Sequence, residues 1–208
     1  MNFKNTFYSH VFFLFLLMLC SARVIAADTL LILGDSLSAG YRLPVEQSWP
    51  TLLADKWQQS GRKTTIINGS ISANTAAQGL ERLPELLKTY HPKWVLIELG
   101  ANDGLRGFSI QQTEQDLQKI VSLVKQAKAQ PLLMQIRIPP NYGKRYTESF
   151  AQIYPELSER NQIPLMPFFM EHVAIKPDWM QDDGLHPNLA AQPFIADWMS
   201  GKLSAYVH

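Results

Sequence analysis

Five short apolar runs, spaced between segments of helical periodicity, constrain the fold of this chain more than any other feature. They cover residues 29–33, 64–67, 94–99, 131–138 and 165–168. Runs this short and this apolar are typical of strands buried on both faces of a parallel sheet. Strands that alternate with helices predict an α/β fold of three layers, helix, sheet and helix. We expect a five-stranded parallel sheet with right-handed crossovers and the flavodoxin-like strand order 2-1-3-4-5.

Helix start signals lie between the apolar runs. Thr75 is followed three residues later by Gln78, which resembles a capping box, and Ser109 also precedes a glutamine at that spacing. Pro84 predicts a kink or a split in the helix that begins after Thr75. Asn188 is predicted to cap the last helix. The helices therefore fall where the alternating pattern requires them.

The first 26 residues differ from the rest of the chain. A lysine at position 4 precedes an apolar core over residues 11–19, and the segment 22–27 has small residues placed for cleavage. This arrangement is typical of a cleaved secretory signal peptide, because the core is too short for a comfortable permanent anchor. Cleavage after Ala26 is expected to leave residues 27–208 as a single domain. We expect no stable membrane anchor after cleavage.

Cleavage would also change the cysteine content and the charge. It removes Cys20, the one cysteine of the chain, so we expect no intramolecular disulfide. It removes Lys4 and Arg23 as well, which leaves 17 basic residues against 18 acidic ones. A balance this close to neutral provides no electrostatic footprint for nucleic acid, and we expect no nucleic-acid partner.

Polar segments follow two of the predicted strands, and a third polar segment precedes the last helix. The first strand runs into Gly-Asp-Ser-Leu-Ser at 34–38, the third into Gly-Ala-Asn-Asp at 100–103, and Asp-Gly-Leu-His at 183–186 precedes the last helix. Open α/β sheets hold their ligands at the carboxyl ends of their strands. The expected order places the first and third strands side by side, so Ser36 and Asn102 should emerge close together.

These segments supply the parts of a serine hydrolase. A serine hydroxyl becomes a nucleophile when a base takes its proton, and the base works best when a carboxylate orients it. His186 with Asp183 three residues earlier fits the base and its partner for Ser36. The oxyanion of acyl transfer needs donors, for which the backbone N–H of Ser36 and the Asn102 side chain are candidates. The segment around Asn102, Gly-Ala-Asn-Asp-Gly, is also typical of an ordinary turn with no catalytic role.

Other assignments compete for these roles. His172 is a rival base, and Asp182 is a rival of Asp183. A metal hydrolase built on Asp35, Asp182, Asp183 and His186 offers a single histidine, where zinc usually takes more, so we expect no metal. An α/β-hydrolase is disfavoured because the residue two after the nucleophile is a serine, not the glycine of G-x-S-x-G.

The three segments, in this order, resemble the conserved blocks of the SGNH (GDSL) hydrolase superfamily, and the likeness covers essentially the whole chain after the signal peptide. The resemblance implies that Ser36 is the nucleophile, His186 the base, Asp183 its partner, and Asn102 an oxyanion donor. It implies the SGNH hydrolase fold and no cofactor. It also implies hydrolysis of acyl thioesters, aryl and alkyl esters and lysophospholipids in the periplasm. We expect a monomer.

One position departs from the family pattern. A glycine of the family's second block supplies a backbone N–H to the oxyanion, and spacing to Thr75 places this residue at Ala73. Alanine can serve if its φ is negative, whereas a positive φ costs about 1 to 2 kcal/mol and can displace the donor. Gly69 is an alternative, but we favour Ala73.

Loops after the third and fourth strands are candidates for substrate selection. Their apolar residues are Leu105, Phe108, Ile138, Pro139 and Tyr142. They fit a groove for an acyl chain, and equally they fit side chains that only close the core at the strand ends.

Two further functions stay open at this point. One is a carbohydrate O-acetyl esterase of the same superfamily, which would release acetate and ignore long acyl chains. The other is a secreted, non-catalytic binding module. Nucleotide binding is disfavoured because no G-x-G-x-x-G or P-loop sequence follows any strand.

Overall fold

The computed structural model describes residues 28–208. The predicted signal peptide, with Cys20, therefore lies outside the described residues. Five strands form one sheet: β1 (Thr29–Gly34), β2 (Thr65–Asn68), β3 (Trp94–Glu98), β4 (Gln130–Met134) and β5 (Leu165–Met166). Every neighbouring pair is parallel, and the order is β2-β1-β3-β4-β5. The predicted fold class and strand order are confirmed.

Helices connect the strands and cover the sheet. They are α1 (Ser36–Ala39), α2 (Trp49–Gln59), α3 (Ala76–Tyr90), α4 (Ala101–Leu105), α5 (Ile110–Gln126), α6 (Lys144–Asn161), α7 (Met170–Val173) and α8 (Gln192–Leu203). On one face α2 packs against α8, and on the other α3 packs against α5, which also contacts α6. Within residues 28–208, no helix combines the length and the apolar character that crossing a bilayer requires.

The centre of the sheet is dry. All residues of β3 and all but the first of β1 and of β4 are buried, as expected for central strands with a helical layer on each face. Edge strand β2 is only partly covered. One charged residue lies within this dry centre: Glu98, the last residue of β3, is fully buried. It lies beneath the polar segments at the carboxyl end of the sheet.

Two helix caps agree with the sequence pattern. Thr75 and Gln78 form the capping box of α3, and Ser109 accepts the N–H of Gln112 at the start of α5. Pro84 lies inside α3, which nevertheless runs unbroken from Ala76 to Tyr90, so the predicted split is wrong. A proline removes one backbone donor, and the buried side of this amphipathic helix holds the turns on either side of it in place.

Several element boundaries differ from the predicted ones, including that of β5, which ends at Met166 and not at residue 168. Strand β4 ends at Met134, four residues earlier than expected, although Ile136 and Ile138 beyond it stay buried. Burial at these positions comes from the loop that follows the strand, which periodicity alone does not distinguish from a strand. Asn188 caps a 3₁₀ turn, Leu189–Ala191, and α8 begins only after this turn.

Candidate active site

Ser36 is the first residue of α1, directly at the carboxyl end of β1. The preceding Asp35 caps this one-turn helix, because its Oδ1 accepts the N–H of Leu37 at 3.0 Å. The helix ends at Gly40, whose φ of 75° places it in the left-handed region that favours glycine. The N–H of Gly40 bonds back to the Ser36 carbonyl. Ser36 is thus held on a short, doubly capped turn above the sheet.

His186 and Asp183 complete a hydrogen-bonded chain to Ser36. Nε2 of His186 lies 2.8 Å from Ser36 Oγ, and Nδ1 lies 2.7 Å from Asp183 Oδ2. A carboxylate only accepts hydrogen bonds, so Nδ1 carries a hydrogen and Nε2 of the neutral ring accepts from the serine hydroxyl. The arrangement can therefore move a proton from Ser36 to His186.

The loop that carries Asp183 is itself hydrogen-bonded to this carboxylate. Asp183 Oδ1 accepts the backbone N–H groups of Leu185, at 2.9 Å, and of His186, at 3.0 Å. Burial disfavours the charge of Asp183, but these donors and the imidazole outweigh it and lower the pKa of Asp183 to about 2. Asp183 is therefore ionised at every pH well above about 2.

Tyr41 packs directly against the imidazole. The ring centroids of Tyr41 and His186 are 4.4 Å apart with a tilt of 35°. Gln181 ties the two loops together, because its Nε2 donates to the Tyr41 carbonyl at 2.9 Å. The sequence analysis missed Tyr41; its one signal was an aromatic residue five positions after Ser36.

Asn102 occupies the other side of Ser36, in the first turn of α4. Its Nδ2 donates to Asp35 Oδ2 at 3.1 Å and to the Asn74 carbonyl at 3.0 Å. Gly100, just before α4, has a φ of 112°, and a Cβ there would clash with the Tyr154 hydroxyl. This glycine lets the chain turn tightly from β3 into the helix, which brings Asn102 beside Asp35 and so close to Ser36.

Ala73 lies in the loop between β2 and α3, next to Asn74, and its φ is 65°. Ala73 therefore has a positive φ, at which its methyl group costs conformational free energy. Arg106 Nη2 donates to the Ala73 carbonyl at 3.0 Å, while the Ala73 N–H has no partner among the described residues. The N–H of Gly69, the alternative donor, is already bonded to the Ile32 carbonyl at 2.9 Å.

A buried acid pair lies beneath this side of the site. Asp35 and Glu98 are both fully buried, and Glu98 Oε2 accepts from Ser38 Oγ at 2.6 Å and from the Asp35 N–H at 3.4 Å. Burial raises the pKa of Asp35 to about 7 and, together with the Asp35 charge, raises the pKa of Glu98 well above its usual value. The sequence analysis missed Glu98, although a glutamate within an apolar run was a signal.

Arg82, from α3, ties this side of the site together. Its guanidinium donates to Asn74 Oδ1 at 2.8 Å, to the Gly34 carbonyl at 3.2 Å and to the Gly69 carbonyl. One side chain thus joins the end of β1 to both ends of the loop that carries Ala73. Nothing in the sequence pattern distinguished Arg82 from the other charged residues of an amphipathic helix.

A groove of about 460 Å³ opens beside Ser36, Asn102 and His186. Its apolar walls include Leu105, Ile138, Pro139, Pro140, Phe168, Met170, Ala174, Met180 and Leu185. Three of the five predicted groove residues, Leu105, Ile138 and Pro139, are therefore among its walls. The other two, Phe108 and Tyr142, are exposed and lie outside its lining.

The rival residues lie in other surroundings. The ring of His172 packs against Trp198, with centroids 5.6 Å apart, and against Phe194. Asp182 is exposed, and the hydrogen bond to the imidazole comes from Asp183. Among residues 28–208, no group of three or more His, Cys, Asp and Glu side chains is placed to hold a metal ion.

Known proteins resemble this chain over most of its length. Thioesterase 1/protease 1/lysophospholipase L1 of Escherichia coli K12 is 61% identical over 208 residues, which is 100% of this chain and 98% of the relative. An arylesterase of Vibrio mimicus is 56% identical over 88% of this chain and 92% of the relative.

Solved structures share the fold. The psychrotrophic esterase EstA of Pseudoalteromonas, solved in a form inhibited by monoethylphosphonate, has a TM-score of 0.85 and 46% identity, over 86% of this chain and 98% of that one. The structure of TesA has a TM-score of 0.82 and 42% identity, over 86% of this chain and 99% of that one. The family model for GDSL-like lipases and acylhydrolases matches residues 32–192. The chain belongs to the GDSL-like lipase/acylhydrolase family, and it is a serine esterase of that family.

Proposed function

We propose that the protein hydrolyses acyl thioesters, aryl and alkyl esters and lysophospholipids through an acyl-enzyme on Ser36. The observation that carries this proposal is the hydrogen-bonded chain from Ser36 to His186 to Asp183, at 2.8 Å and 2.7 Å, beside an apolar groove. A groove with apolar walls and few polar groups suits an acyl chain. No cofactor takes part in the proposed reaction.

Acylation begins at Ser36. Nε2 of His186 takes the hydroxyl proton while Oγ attacks the carbonyl carbon of the substrate, and the charge of Asp183 stabilises the imidazolium that forms. The oxyanion accepts hydrogen bonds from the backbone N–H groups of Ser36 and Ala73 and from Nδ2 of Asn102. To reach the oxyanion, Asn102 releases one of its two acceptors, Asp35 Oδ2 or the Asn74 carbonyl. When the tetrahedral intermediate collapses, His186 returns the proton to the leaving thiol or alcohol.

Deacylation repeats these steps with water. His186 takes a proton from a water molecule, whose oxygen attacks the acyl carbon, and then returns the proton to Ser36 Oγ as the fatty acid leaves. The same three donors serve the second oxyanion. The enzyme ends each cycle in its starting protonation state.

The range of leaving groups is proposed from the relatives. The Escherichia coli relative is named as a thioesterase, a protease and a lysophospholipase, and the Vibrio mimicus relative as an arylesterase. Walls formed by Leu105, Ile138 and Met170 favour a longer acyl chain over acetate on a sugar, which would leave this apolar surface unfilled.

We propose that the protein acts as a monomer in the periplasm, after export and removal of residues 1–26. The apolar core at 11–19 and the small residues at 22–27 support export. The intact mass of protein recovered after export tests the cleavage site, because cleavage after Ala26 leaves Ala27 as the first residue.

The test of the proposed function uses a fluorophosphonate probe and p-nitrophenyl esters from acetyl to lauroyl. Ser36→Ala should abolish both labelling and turnover, whereas Ser149→Ala, an exposed serine on α6, should change neither. Activity should survive EDTA. Turnover of acetyl esters alone would instead favour the O-acetyl esterase. Labelling that persists in Ser36→Ala would overturn the nucleophile, and no turnover of any ester would favour a binding module.

A further inference from the structure

Exposed apolar side chains are concentrated at one end of the molecule. Among residues 28–208, eight large hydrophobic side chains are exposed. Val45, Ile71 and Phe108 lie in the loops after β1, β2 and β3, and Tyr142 lies in the loop after β4. The eighth residue, Tyr90, is the last residue of α3 and lies at the opposite end of the sheet.

The long loop after β5 carries the remaining three. Ile175 follows α7, Leu185 lies between Asp183 and His186, and Leu189 begins the turn before α8. In a parallel sheet all loops after strands emerge at the same end. We call the seven side chains from the loops after β1 to β5 the apolar rim. Exposed apolar side chains that collect at one end of a protein often mark an interaction site.

Three members of the rim lie at or beside the groove. Leu185 belongs both to the rim and to the groove lining, Ile175 directly follows the lining residue Ala174, and Tyr142 lies two residues after the lining residue Pro140. The rim and the largely apolar groove therefore lie at the same end of the molecule. The two most exposed members, Ile175 at 74% and Val45 at 64%, lie outside the groove lining and make no contact with the Ser36 chain.

Basic residues are concentrated in two of the segments that carry rim side chains. Segments 104–109, at the end of α4, and 135–145, which runs into the start of α6, contain Arg106, Arg137, Lys144 and Arg145 and no acidic residue. Arg137 is paired with Glu171 at 2.6 Å, whereas Arg145 is exposed and has no acidic partner among the described residues. Tyr146 joins these two segments, because its hydroxyl donates to the Phe108 carbonyl at 2.9 Å.

The loops after β1 and β5 carry exposed acidic residues. These are Glu46 after β1 and Asp178 and Asp182 after β5, with Lys176 between α7 and Asp178. The excess of basic residues is therefore confined to the segments after β3 and β4. Apolar side chains beside arginine and lysine are the combination with which peripheral proteins bind anionic lipid surfaces.

We propose that the apolar rim docks on an anionic phospholipid surface, with the loops after β3 and β4 against the headgroups, so that the groove opens toward the lipid. A lysophospholipid would then pass its acyl chain from the surface into the groove. The choice of a lysophospholipid as substrate rests on the proposed function, but docking itself does not require catalysis. A variant without the nucleophile can therefore test docking alone.

The experiment measures co-sedimentation with vesicles of phosphatidylcholine and phosphatidylglycerol in equal parts. All proteins carry Ser36→Ala and are purified after export, and their intact masses establish that they share one N-terminus. Val45→Ser/Ile175→Ser should lower the partition coefficient about tenfold, because two exposed apolar side chains no longer enter the interface. Tyr90→Ser, at the other end of the sheet, is the matched control and should bind as the parent does.

Charge is tested with Arg145→Gln and with vesicle composition. Binding should weaken in pure phosphatidylcholine and at high salt, and Arg145→Gln should reduce the difference between the two vesicle types. In proteins with Ser36 intact, Val45→Ser/Ile175→Ser should lower hydrolysis of vesicle-bound lysophospholipid and leave hydrolysis of soluble p-nitrophenyl butyrate unchanged.

Three results would overturn the docking proposal. They are equal vesicle binding by the parent and by Val45→Ser/Ile175→Ser, an equal loss in Tyr90→Ser, and a parent that sediments as a dimer which the double substitution makes monomeric. The last result would assign the rim to a second copy of the chain. Absence of hydrolysis on every ester would refute the proposed function instead, and would leave the vesicle result to be judged by itself.

Discussion

The two sides of Ser36 hold their acidic residues in opposite ways. On the base side, Asp183 is partly exposed, accepts two backbone N–H groups and the imidazole, and has a pKa lowered to about 2. On the oxyanion side, Asp35 and Glu98 are fully buried and close together, and burial raises the pKa of both carboxyls. One acid is stabilised as an anion, and the other two are pushed toward the neutral form.

The difference shows which physical effect each side depends on. Hydrogen bonds to a carboxylate can outweigh the cost of partial burial when three donors converge on it, as they do at Asp183. The buried pair has fewer donors per oxygen, and Glu98 Oε1 has no partner among the described residues. The side of the proposed base therefore keeps a carboxylate charged, whereas the side of the proposed oxyanion donors is a packed support in which burial disfavours the charge of both carboxyls.

The largest expected effect is on the base side. Asp183→Asn should lower kcat/KM by about 10² to 10⁴, because the amide can hold the wrong imidazole tautomer and brings no charge. Stability at neutral pH should also fall, because the three donors around position 183 no longer face a charge. Asp182→Asn, at the neighbouring position, is the matched control. Similar kinetics for the two variants on p-nitrophenyl esters would contradict the contrast between the two sides.

The next effect concerns the support on the oxyanion side. Arg82→Ala removes the donors to Asn74 and to two backbone carbonyls, and we expect a loss of about 2 to 3 kcal/mol in the free energy of unfolding. The value of kcat should also fall, because the loop that carries Ala73 loses its anchor. Arg145→Ala, an exposed arginine on α6, should be nearly neutral. Urea denaturation distinguishes them, and equal stabilities would contradict the anchoring role of Arg82.

The pH dependence of stability should differ between the two sides in sign. Asp35 has a raised pKa, so its contribution is fully present below its unfolded value of 3.8 and is lost as pH rises through about 7. The expected slope is about 1.4 kcal/mol per pH unit while the group titrates. The lowered pKa of Asp183 acts in reverse: its contribution is present above pH 3.8 and is lost as pH falls toward about 2.

Asp35→Asn should remove the first of these two dependences. Asparagine can still cap α1 and accept from Asn102, so the substitution mainly removes a titrating group. Urea denaturation between pH 4 and 8 should give a flatter profile than the wild-type protein gives. Parallel profiles would mean that Asp35 does not hold a proton in the folded state.

The smallest expected effect is at Ala73. Its φ of 65° carries a methyl group in the left-handed region, so Ala73→Gly should stabilise the fold by up to about 1 kcal/mol, less the entropy that glycine adds to the unfolded chain. Gln162→Gly, at a φ of 52° after α6, should give a similar gain. Only Ala73→Gly is expected to raise kcat, because relief of the backbone strain at position 73 improves the position of its N–H as an oxyanion donor. A fall in kcat would count against the strain at Ala73.

The features that followed from the sequence are those that depend on local pattern. Alternating apolar runs and helix signals predicted the α/β class, whereas the strand order came from analogy with flavodoxin-like sheets. The three polar segments named the side chains that lie around Ser36, and their catalytic roles stay predictions. Glu98 was missed because one charged residue does not break an apolar run. Arg82 was missed because its partners, at the end of β1 and in the loop after β2, are brought together only by the fold. The φ of Ala73 depends on how its loop closes, which spacing does not determine.

The hydrogen bond between Ser36 and His186 joins residues 150 positions apart. The segment from β1 through α6 contains Ser36, Asn102 and Arg82 but lacks the proposed base. With His186 in that role, hydrolysis requires the chain after α6 to pack against the start of the domain. Recovery of esterase activity during refolding is therefore expected to report this long-range packing, and a protein that ends after α6 is expected to be inactive.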